Sequence, residues 1–579
     1  MARDFTTLTN SFLGLNESGA SESRLKLGES PKMRNLKVTP SYSLALREGY
    51  ICLDESEGEG RGLTVYNGIV YFVVGKFLYS YDGEKKTIGE LESEKGKVFF
   101  LHFGESFYIL DGVKIKKWSG GVFSDIDPYV PLIAVSTDVN GGGVPFEDIN
   151  LLTPKRRQSF TMDSDHKTLI LAEQNIDSVD SVKLLGEELQ KTAYTVDLEK
   201  GTVALSSSNP STEINAYEVT YSKKIPEENN PHRMKYAVLW GGDNDTRVFL
   251  WGDAEKPDVY RYSGVHDGIS GMDYFPELSF NKSATGRPIT SLVRHYDRLL
   301  IFTDKEAYYS YIEKKSDSSG MEYLSFPVRT LSSEVGCLHP NTAVLVDNTP
   351  LTLSGTSLYR WVSTTVRDER NAEEIGARIR KGLAFLSKGF SVFDRTAHGE
   401  VYLWRDDKIY VYNYRLDVFY YYEGIDAVFF HEDSIGNCFF LTSDGKLCRM
   451  TEESLDMGHP VDFEWETGYS EYAGLDTKNI HSIEFEVIPK SSISFDILWA
   501  SDTMTGKGMG VGAEYKVLDF ESLFFDRFSF KSAITPIRLR KRVKLKRQKS
   551  FKLIVKSNEN SIDFHLVSLC IRGRITDAI

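Results

Sequence analysis

The sequence predicts an all-β chain organised as a β-propeller of about six or seven blades, with an inserted small β-sandwich and a C-terminal β-sandwich. Three observations predict this class. A short aromatic signature (an apolar residue, Tyr, any residue, then Tyr or Trp) recurs after apolar runs. The chain holds 31 Tyr and 34 Phe, residues that favour strands. Its first and last segments alternate between apolar and polar residues, as half-buried strands do.

The signature divides most of the chain at intervals that suit blades of about 40 to 50 residues. Its clear copies occupy residues 78–81, 259–262, 308–311, 358–361 and 409–412, and degenerate copies occupy 115–118 and 447–450. Each copy and the apolar run before it predict a β-hairpin. Since one hairpin cannot bury its apolar face alone, the repetition indicates stacked sheets.

Residues 1–62 precede the first blade and are predicted to be a leader that completes the propeller or contacts neighbouring molecules. Alternating apolar residues on either side of positions 40–43 predict a hairpin that turns there. Residues 63–126 then hold two blades. The next signature follows only after a long interval, and prolines mark both edges of it, so we predict a small β-sandwich inserted at 127–232.

Blades resume over residues 233–455. The highly charged segment 366–385 is the one plausible helix there; Glu374 and Arg378 stand four apart and could pair on one face. We expect it to form an excursion at a blade edge. Residues 456–579 read as a separate antiparallel β-sandwich, because 483–487, 492–497, 528–530 and 551–555 are alternating or apolar runs.

Bulk properties exclude several classes. A formal net charge of −14 argues against a general nucleic-acid coat. The five cysteines are scattered without a C-x-x-C motif, so we expect reduced thiols in buried strands. No run approaches the about 20 apolar residues of a membrane span, and the start of the chain lacks the pattern of a secretion signal.

A basic run near the C-terminus is the sharpest local feature. Arg538, Arg540, Arg542, Lys544 and Lys546 alternate with the apolar residues Ile537, Leu539, Val543 and Leu545, and Lys541, Arg547, Lys549 and Lys552 add further charge. The pattern predicts a strand with one basic face. That face could contact phosphate or dock on an acidic partner, including a neighbouring copy. It could equally be a solvated face whose lysines protect a sheet edge.

Catalytic patterns do not assemble in the sequence. There is no H-E-x-x-H or G-x-S-x-G motif, the 11 histidines are scattered, and the Ser-x-Asp-x-Gly-x-x-Trp turn of propeller glycosidases is missing. Glycines 506, 508, 510 and 512 predict a loop rather than a phosphate cradle, because no helix follows them. We therefore expect no enzyme activity, no cofactor and no metal.

Two leader segments resemble a known family. Asn-Leu-Lys-Val-Thr-Pro at 35–40 and Leu-Arg-Glu-Gly-Tyr at 46–50 are similar to the opening of tail nozzle and packaged-DNA stabilisation hub proteins of tailed bacteriophages. Glu48 stands where that family usually has proline. The order of leader, interrupted propeller, inserted sandwich and C-terminal sandwich is also similar.

The resemblance implies a virion structural protein at or below the head–tail connector, assembled in the host cytoplasm. It implies a homo-oligomeric ring, expected to be a hexamer, that meets portal, adaptor or tail proteins. Packaged DNA would pass through its lumen without sequence specificity, and no membrane is involved. The alternative is a carbohydrate- or receptor-binding propeller; a propeller hydrolase and an intracellular scaffold are further possibilities.

Overall fold

The computed structural model describes residues 3–18, 25–207, 210–242, 245–316, 322–362, 372–469, 476–488, 493–501, 505–507, 511–513, 536–559, 561 and 563–576. These residues are almost entirely strands, so the predicted all-β class is confirmed. The chain divides into two compact units: Met1–Thr87 with Thr342–Ile579, and Ile88–Asn341. No helix in the described ranges is long and apolar enough to cross a membrane.

The first unit contains four groups of four hydrogen-bonded strands. The first group is Gly60–Tyr66, Ile69–Val74, Phe77–Tyr81 and Lys85–Glu90, whose last strand runs three residues past the unit boundary at Thr87. The second is Val344–Val346, Thr349–Ser354, Ser357–Trp361 and Ala372–Glu374. The third is Ser391–Arg395, Glu400–Arg405, Lys408–Asn413 and Val418–Glu423. The fourth is Phe429–Glu432, Cys438–Leu441, Lys446–Thr451 and, from the leader, Gly49–Glu55.

The second unit contains three such groups. They are Phe99–Phe103, Ser106–Leu110, Ile115–Ser119 and Val122–Asp125; Tyr236–Gly242, Asp245–Trp251, Val259–Tyr262 and Phe280–Lys282; and Ile289–His295, Arg298–Thr303, Ala307–Ser310 and Val328–Ser332. Two short hairpins extend from these groups. One pairs Val265–His266 with Ile269–Ser270, and the other pairs Glu313–Ser316 with Glu322–Ser325.

Every copy of the aromatic signature lies on the third strand of one of these groups, except that Tyr311 follows the end of its strand, and the apolar run before each copy forms the second strand. The predicted hairpins are therefore confirmed. The signature side chains Tyr260, Trp361 and Tyr412 are buried. Tyr260 lies in a core that two neighbouring groups share, since it packs with Phe249 of its own group and Leu299 of the next. Closure of the groups into a propeller stays a prediction.

The inserted region forms two facing sheets in the second unit. One holds Leu132–Thr137, Val144–Pro145, Lys155–Phe160, Ser178–Leu184, Glu187–Glu188 and Tyr217–Ser222, and the other holds Thr168–Ile170, Tyr194–Asp197 and Thr202–Leu205. The two sheets share a core whose fully buried side chains include Phe160, Leu169, Val182, Val203 and Val219.

The C-terminal region and the leader build two sheets together in the first unit. One sheet orders Leu36–Val38, Leu44–Leu46, His565–Ile575, Lys478–Val487 and Ile537–Gln548, and Arg3–Thr9 also pairs with His565–Ile575. The other joins Met33–Arg34, Glu464–Glu466, Phe551–Lys556, Ile493–Ser501 and Thr505–Lys507 to the group that ends at Glu423, and Val511–Ala513 pairs with Ile493–Ser501. Phe485, Phe495 and Phe564 make edge-to-face contacts in the core.

The strands of the leader belong to several different sheets, so the leader does not form one separate element. Its predicted hairpin is present, with Leu36–Val38 paired to Leu44–Leu46. Those strands belong to the C-terminal sheets, whereas Gly49–Glu55 completes a four-stranded group. The first blade-like strand begins at Gly60, two residues before the predicted end of the leader.

The helix suggested over 366–385 is present only in the last part of that segment: from residue 372 onward the chain forms the strand Ala372–Glu374, a 3-10 turn at Gly376–Ile379 and the α-helix Arg380–Leu386. The suggested pairing of Glu374 with Arg378 on one helix face is wrong. Glu374 consequently pairs with Arg380 at 3.7 Å, while Arg378 donates to the Asp417 carbonyl. Gly506 and Gly512 lie in strands rather than a loop. Residues 366–371, Gly508, Gly510 and 528–530 lie outside the described residues.

Candidate interaction surface and the leader node

The basic run forms the edge strand Ile537–Gln548 of the C-terminal sheet, beside Lys478–Val487. Its exposure alternates as the sequence predicts. Arg538, Arg540, Arg542, Lys544 and Lys546 are exposed, and we call these five residues the basic face. The intervening apolar side chains are half-buried, and Leu545 is buried. The sheet therefore holds the five cations on one side, spaced by the pleat of the strand.

Carboxylates on the neighbouring strand neutralise one end of the basic face. Glu486 lies opposite Arg538, with 3.7 Å between the carboxylate and Nε. Glu484 lies opposite Arg540 at 3.2 Å and is also 3.2 Å from Arg572 on the next strand. The alternation at 483–487 signals outward-facing carboxylates, but their register against the basic strand has no signal in the sequence.

The other end of the basic face has excess positive charge. Arg542 faces Ser482, and the next residue across the sheet is Arg572. In the ranges that the structure describes, no carboxylate lies within ion-pair distance of Arg542, Lys544 or Lys546. Three cations on one exposed strand can therefore accept an external anionic surface without first breaking an internal pair.

Not every residue of the basic run joins this face. Lys552 is buried on the following strand, where it pairs with Glu466 at 2.6 Å. Lys541 is half-buried and lies on the inward phase of the edge strand. The sequence alone overstated the width of the surface, because a turn after Gln548 places Lys552 in the other sheet.

The leader residues behind the family resemblance form a buried cluster that we call the leader node: Asn35, Arg47 and Glu48. Arg47 is 1% exposed and grips Asp456 with both terminal nitrogens, at 2.8 and 2.5 Å. Its Nε donates to Asn35 Oδ1 at 3.1 Å. A two-pronged guanidinium–carboxylate pair of this kind has strict geometry.

The Asn35 side chain satisfies backbone groups from two other parts of the chain. Its side-chain amide donates to the Asp462 carbonyl at 2.7 Å, and its Oδ1 accepts the Glu423 N–H at 2.8 Å. Its φ of 57° lies in the left-handed region, which asparagine tolerates better than most residues. Asn35 therefore joins the leader to the strand Val418–Glu423 and to Asp462, which lies just before the strand Glu464–Glu466.

Glu48, the departure from the family pattern, has its own partners. Its carboxylate lies 2.6 Å from Arg395, 3.0 Å from Lys37 and 3.3 Å from His398. Burial acts to raise the pKa of Glu48, but hydrogen bonds and charges from His398, Lys37 and Arg395 outweigh it and hold this pKa well below its usual range. An ionised Glu48 thus compensates the buried Arg395 guanidinium.

A separate cavity of about 580 Å³ lies in the second unit. It is lined by the early part of the inserted region and by the two short hairpins, with Phe146 and Tyr323 exposed at 58% and 51%. Asp148, Arg247 and Lys314 add polar groups of both signs. Tyr274 is fixed at the wall by a 2.9 Å hydrogen bond to the Asp148 carbonyl. No sequence pattern indicates this cavity, since its lining residues come from distant segments.

Among the described residues, no group of three or more His, Cys, Asp or Glu side chains is arranged to hold a metal ion.

No family model and no curated protein matches the chain. An exo-β-1,3-galactanase from Phanerochaete chrysosporium aligns at 8% identity over 82% of this chain and 95% of its own, with a TM-score of 0.17. PorZ, a surface component of the type-IX secretion system of Porphyromonas gingivalis, aligns at 11% identity over 85% and 60%, with a TM-score of 0.23.

The extracellular domain of a one-component system from B. thetaiotaomicron aligns at 9% identity over 68% of this chain, with a TM-score of 0.19. This chain spans little more than half of that protein, 57% of its length. These neighbours are carbohydrate-active or extracellular proteins, and none of the three is a phage tail protein. Likeness at such TM-scores supports no functional argument.

Proposed function

We propose that this chain is a structural component of a tailed-phage virion, a ring-forming tail nozzle or hub that helps retain and conduct packaged DNA. The observation that supports it most is the leader node. The residues that resemble the phage family, Asn35 and Arg47, are buried and fix the leader to two other regions. The resemblance therefore concerns residues that determine the fold, where a match by chance is less expected than at a solvated surface.

Charge supports an assembly role for the basic face. The chain has a net charge of −14, so long-range repulsion opposes tight adhesion to DNA, which suits a conduit. The same charge attracts the basic face of a neighbouring copy. A ring needs two different complementary patches on each subunit, and a basic edge strand on an acidic protein provides one of them.

Immunogold electron microscopy tests the proposal. Antiserum raised against the recombinant chain is applied to phage particles released from the source organism, with pre-immune serum as the control. We expect label at the head–tail junction or along a short tail. Label at fibre tips would move the role to receptor binding, and particles without label would contradict a virion role.

A second candidate function, saccharide binding, is favoured by the cavity in the second unit. Exposed aromatic side chains at its rim, Phe146 and Tyr323, can stack on sugar rings, while Asp148 and Lys314 can bond hydroxyl groups. A glycan array identifies ligands. Tyr323→Ala should abolish any binding, whereas Tyr296→Ala, at a residue 64% exposed outside the cavity lining, should not. An empty array would remove this candidate.

A further inference from the structure

Two cysteines that are distant in sequence face each other in the first unit. Cys52 lies on the leader strand Gly49–Glu55, and Cys448 lies on Lys446–Thr451, about 400 residues later. The two residues are directly opposite in the antiparallel ladder, next to a shift in its register. Directly opposed residues have Cα atoms about 4.5 to 5.5 Å apart, which is within the range that a disulfide spans.

The two side chains lie on the same side of the ladder, because directly opposed residues share a face, but they differ in access. Cys52 Sγ donates to the Asp54 carbonyl at 3.4 Å. Cys448 is 1% exposed, whereas Cys52 is partly exposed. Burial is the main cause that raises the pKa of both thiols, so each is mostly protonated near neutral pH.

The other cysteines lack this arrangement. Cys438 is opposite Glu432, and Cys570 is opposite Glu484 and Leu8. Cys337 is buried beside Ser291 in the second unit. In the described ladders, Cys52 and Cys448 are thus the one pair placed for a cross-link.

We propose that Cys52 and Cys448 form an oxidisable latch that covalently joins the leader strand to the strand Lys446–Thr451. The oxidant is a small-molecule disulfide. This inference concerns strand closure within one chain and does not rest on the proposed function.

The chemistry proceeds by two exchanges. The Cys52 thiolate attacks one sulfur of the small disulfide, an S–S bond breaks, and one small thiol leaves with the proton from Cys52. The Cys448 thiolate then attacks the mixed disulfide at Cys52, forms the Cys52–Cys448 bond and releases the second small thiol with its proton. Both protein sulfurs are oxidised and the small disulfide is reduced to two thiols. Access assigns Cys52 as the residue that reacts first with the small disulfide and Cys448 as the resolving residue.

Oxidation of the full chain with oxidised glutathione, followed by alkylation and peptide mass analysis without reduction, tests the latch. We expect one linked peptide pair containing Cys52 and Cys448, formed faster as pH rises because the thiols must ionise. Cross-linking so long a segment should raise Tm by about 5 °C or more, and dithiothreitol should reverse the shift.

Single variants separate the two roles. Cys448→Ser should accumulate one glutathione on Cys52, because the resolving thiol is gone, and Cys52→Ser should leave Cys448 unmodified in the folded protein. Cys570→Ser should form the latch like the unaltered chain, and circular dichroism confirms that each variant folds. A stable mixed disulfide at Cys52 in the unaltered chain, or both thiols still free after oxidation, would overturn the proposal.

Discussion

Arg47 and Arg542 lie in the same unit of the molecule, and their surroundings are opposite. Arg47 is buried, with every prong of its guanidinium bonded to Asp456, Asn35 or a backbone carbonyl. Arg542 is exposed on an edge strand and faces Ser482 rather than a carboxylate. Arg47 therefore stabilises the fold of its own chain, whereas Arg542 can bind another molecule.

Arg47 belongs to the leader motif that resembles the phage family, whereas Arg542 belongs to the surface that we propose to bind another molecule. The leader motif is structural: its cation and its asparagine bond other parts of the same chain. The basic face carries no family motif. Substitutions at the two places should therefore change different properties, stability at Arg47 and association at Arg542.

Arg47→Leu should have the largest effect on stability. It removes both bonds to Asp456 and leaves that carboxylate and Asn35 Oδ1 with a lost partner. Breaking one side of a buried pair costs about 3 to 5 kcal/mol of unfolding free energy. Denaturant unfolding of the variant measures this loss. An unfolding free energy within about 0.5 kcal/mol of the unaltered chain would show that Arg47 is not a structural staple.

An intermediate effect is expected at Asp394, beside the partners of Glu48. Burial, reinforced by the nearby Glu432 carboxylate, raises the pKa of Asp394 to about 6, although Thr396 and Arg415 oppose the shift. The folded chain then holds this proton more tightly than the unfolded chain does. Stability from this group is thus present below about pH 4 and is lost as pH rises to about 6, by on the order of 2 kcal/mol.

Asp394→Asn should remove this contribution to the pH dependence. Unfolding free energies measured at intervals between about pH 4 and pH 7 would fall less steeply in the variant. Glu48 has a lowered pKa and acts in the reverse direction, stabilising the fold above its unfolded pKa and losing that effect at lower pH. Equal slopes in the variant and the unaltered chain would contradict the assignment to Asp394.

The smallest effect on stability is expected at the basic face. Replacing Arg542, Lys544 and Lys546 together by Gln removes exposed charges without an ion-pair partner in the described chain. Each change should alter the unfolding free energy by less than about 0.5 kcal/mol. The same thermal or denaturant melts measure it. A loss comparable to that of Arg47→Leu would mean that the face supports the fold.

Sequence patterns predicted those features that depend on nearby residues. The signature at 259–262 marks a third strand because hairpin partners are close in sequence, and Arg538 to Lys546 alternate because a strand has a period of two. The predicted pair of Glu374 and Arg378 on one helix face is absent, because Glu374 ends a strand and Arg378 lies in the 3-10 turn that follows. Spacing predicts such a pair only when one helix contains both residues.

Long-range pairing could not be predicted. Nothing local in Arg3–Thr9 indicates a pairing with His565–Ile575, and Arg47 bonds Asp456 across a sequence separation of 409 residues. The same holds for Glu484, whose position between Arg540 and Arg572 depends on the register of three strands. The carboxylates that neutralise Arg538 and Arg540 could therefore not be predicted from the sequence.

The mass of the native protein in solution at different salt concentrations tests most directly whether the basic face joins copies of the chain into a ring. The unaltered chain and the Arg542→Glu, Lys544→Glu, Lys546→Glu triple variant are compared by light scattering from about 50 mM to about 500 mM salt. We expect ring-sized assemblies of the unaltered chain at low salt, which dissociate as salt screens the charges, and a folded monomer for the variant throughout. An unaltered chain that stays monomeric at low salt, or a variant that assembles equally well, would contradict this role of the basic face.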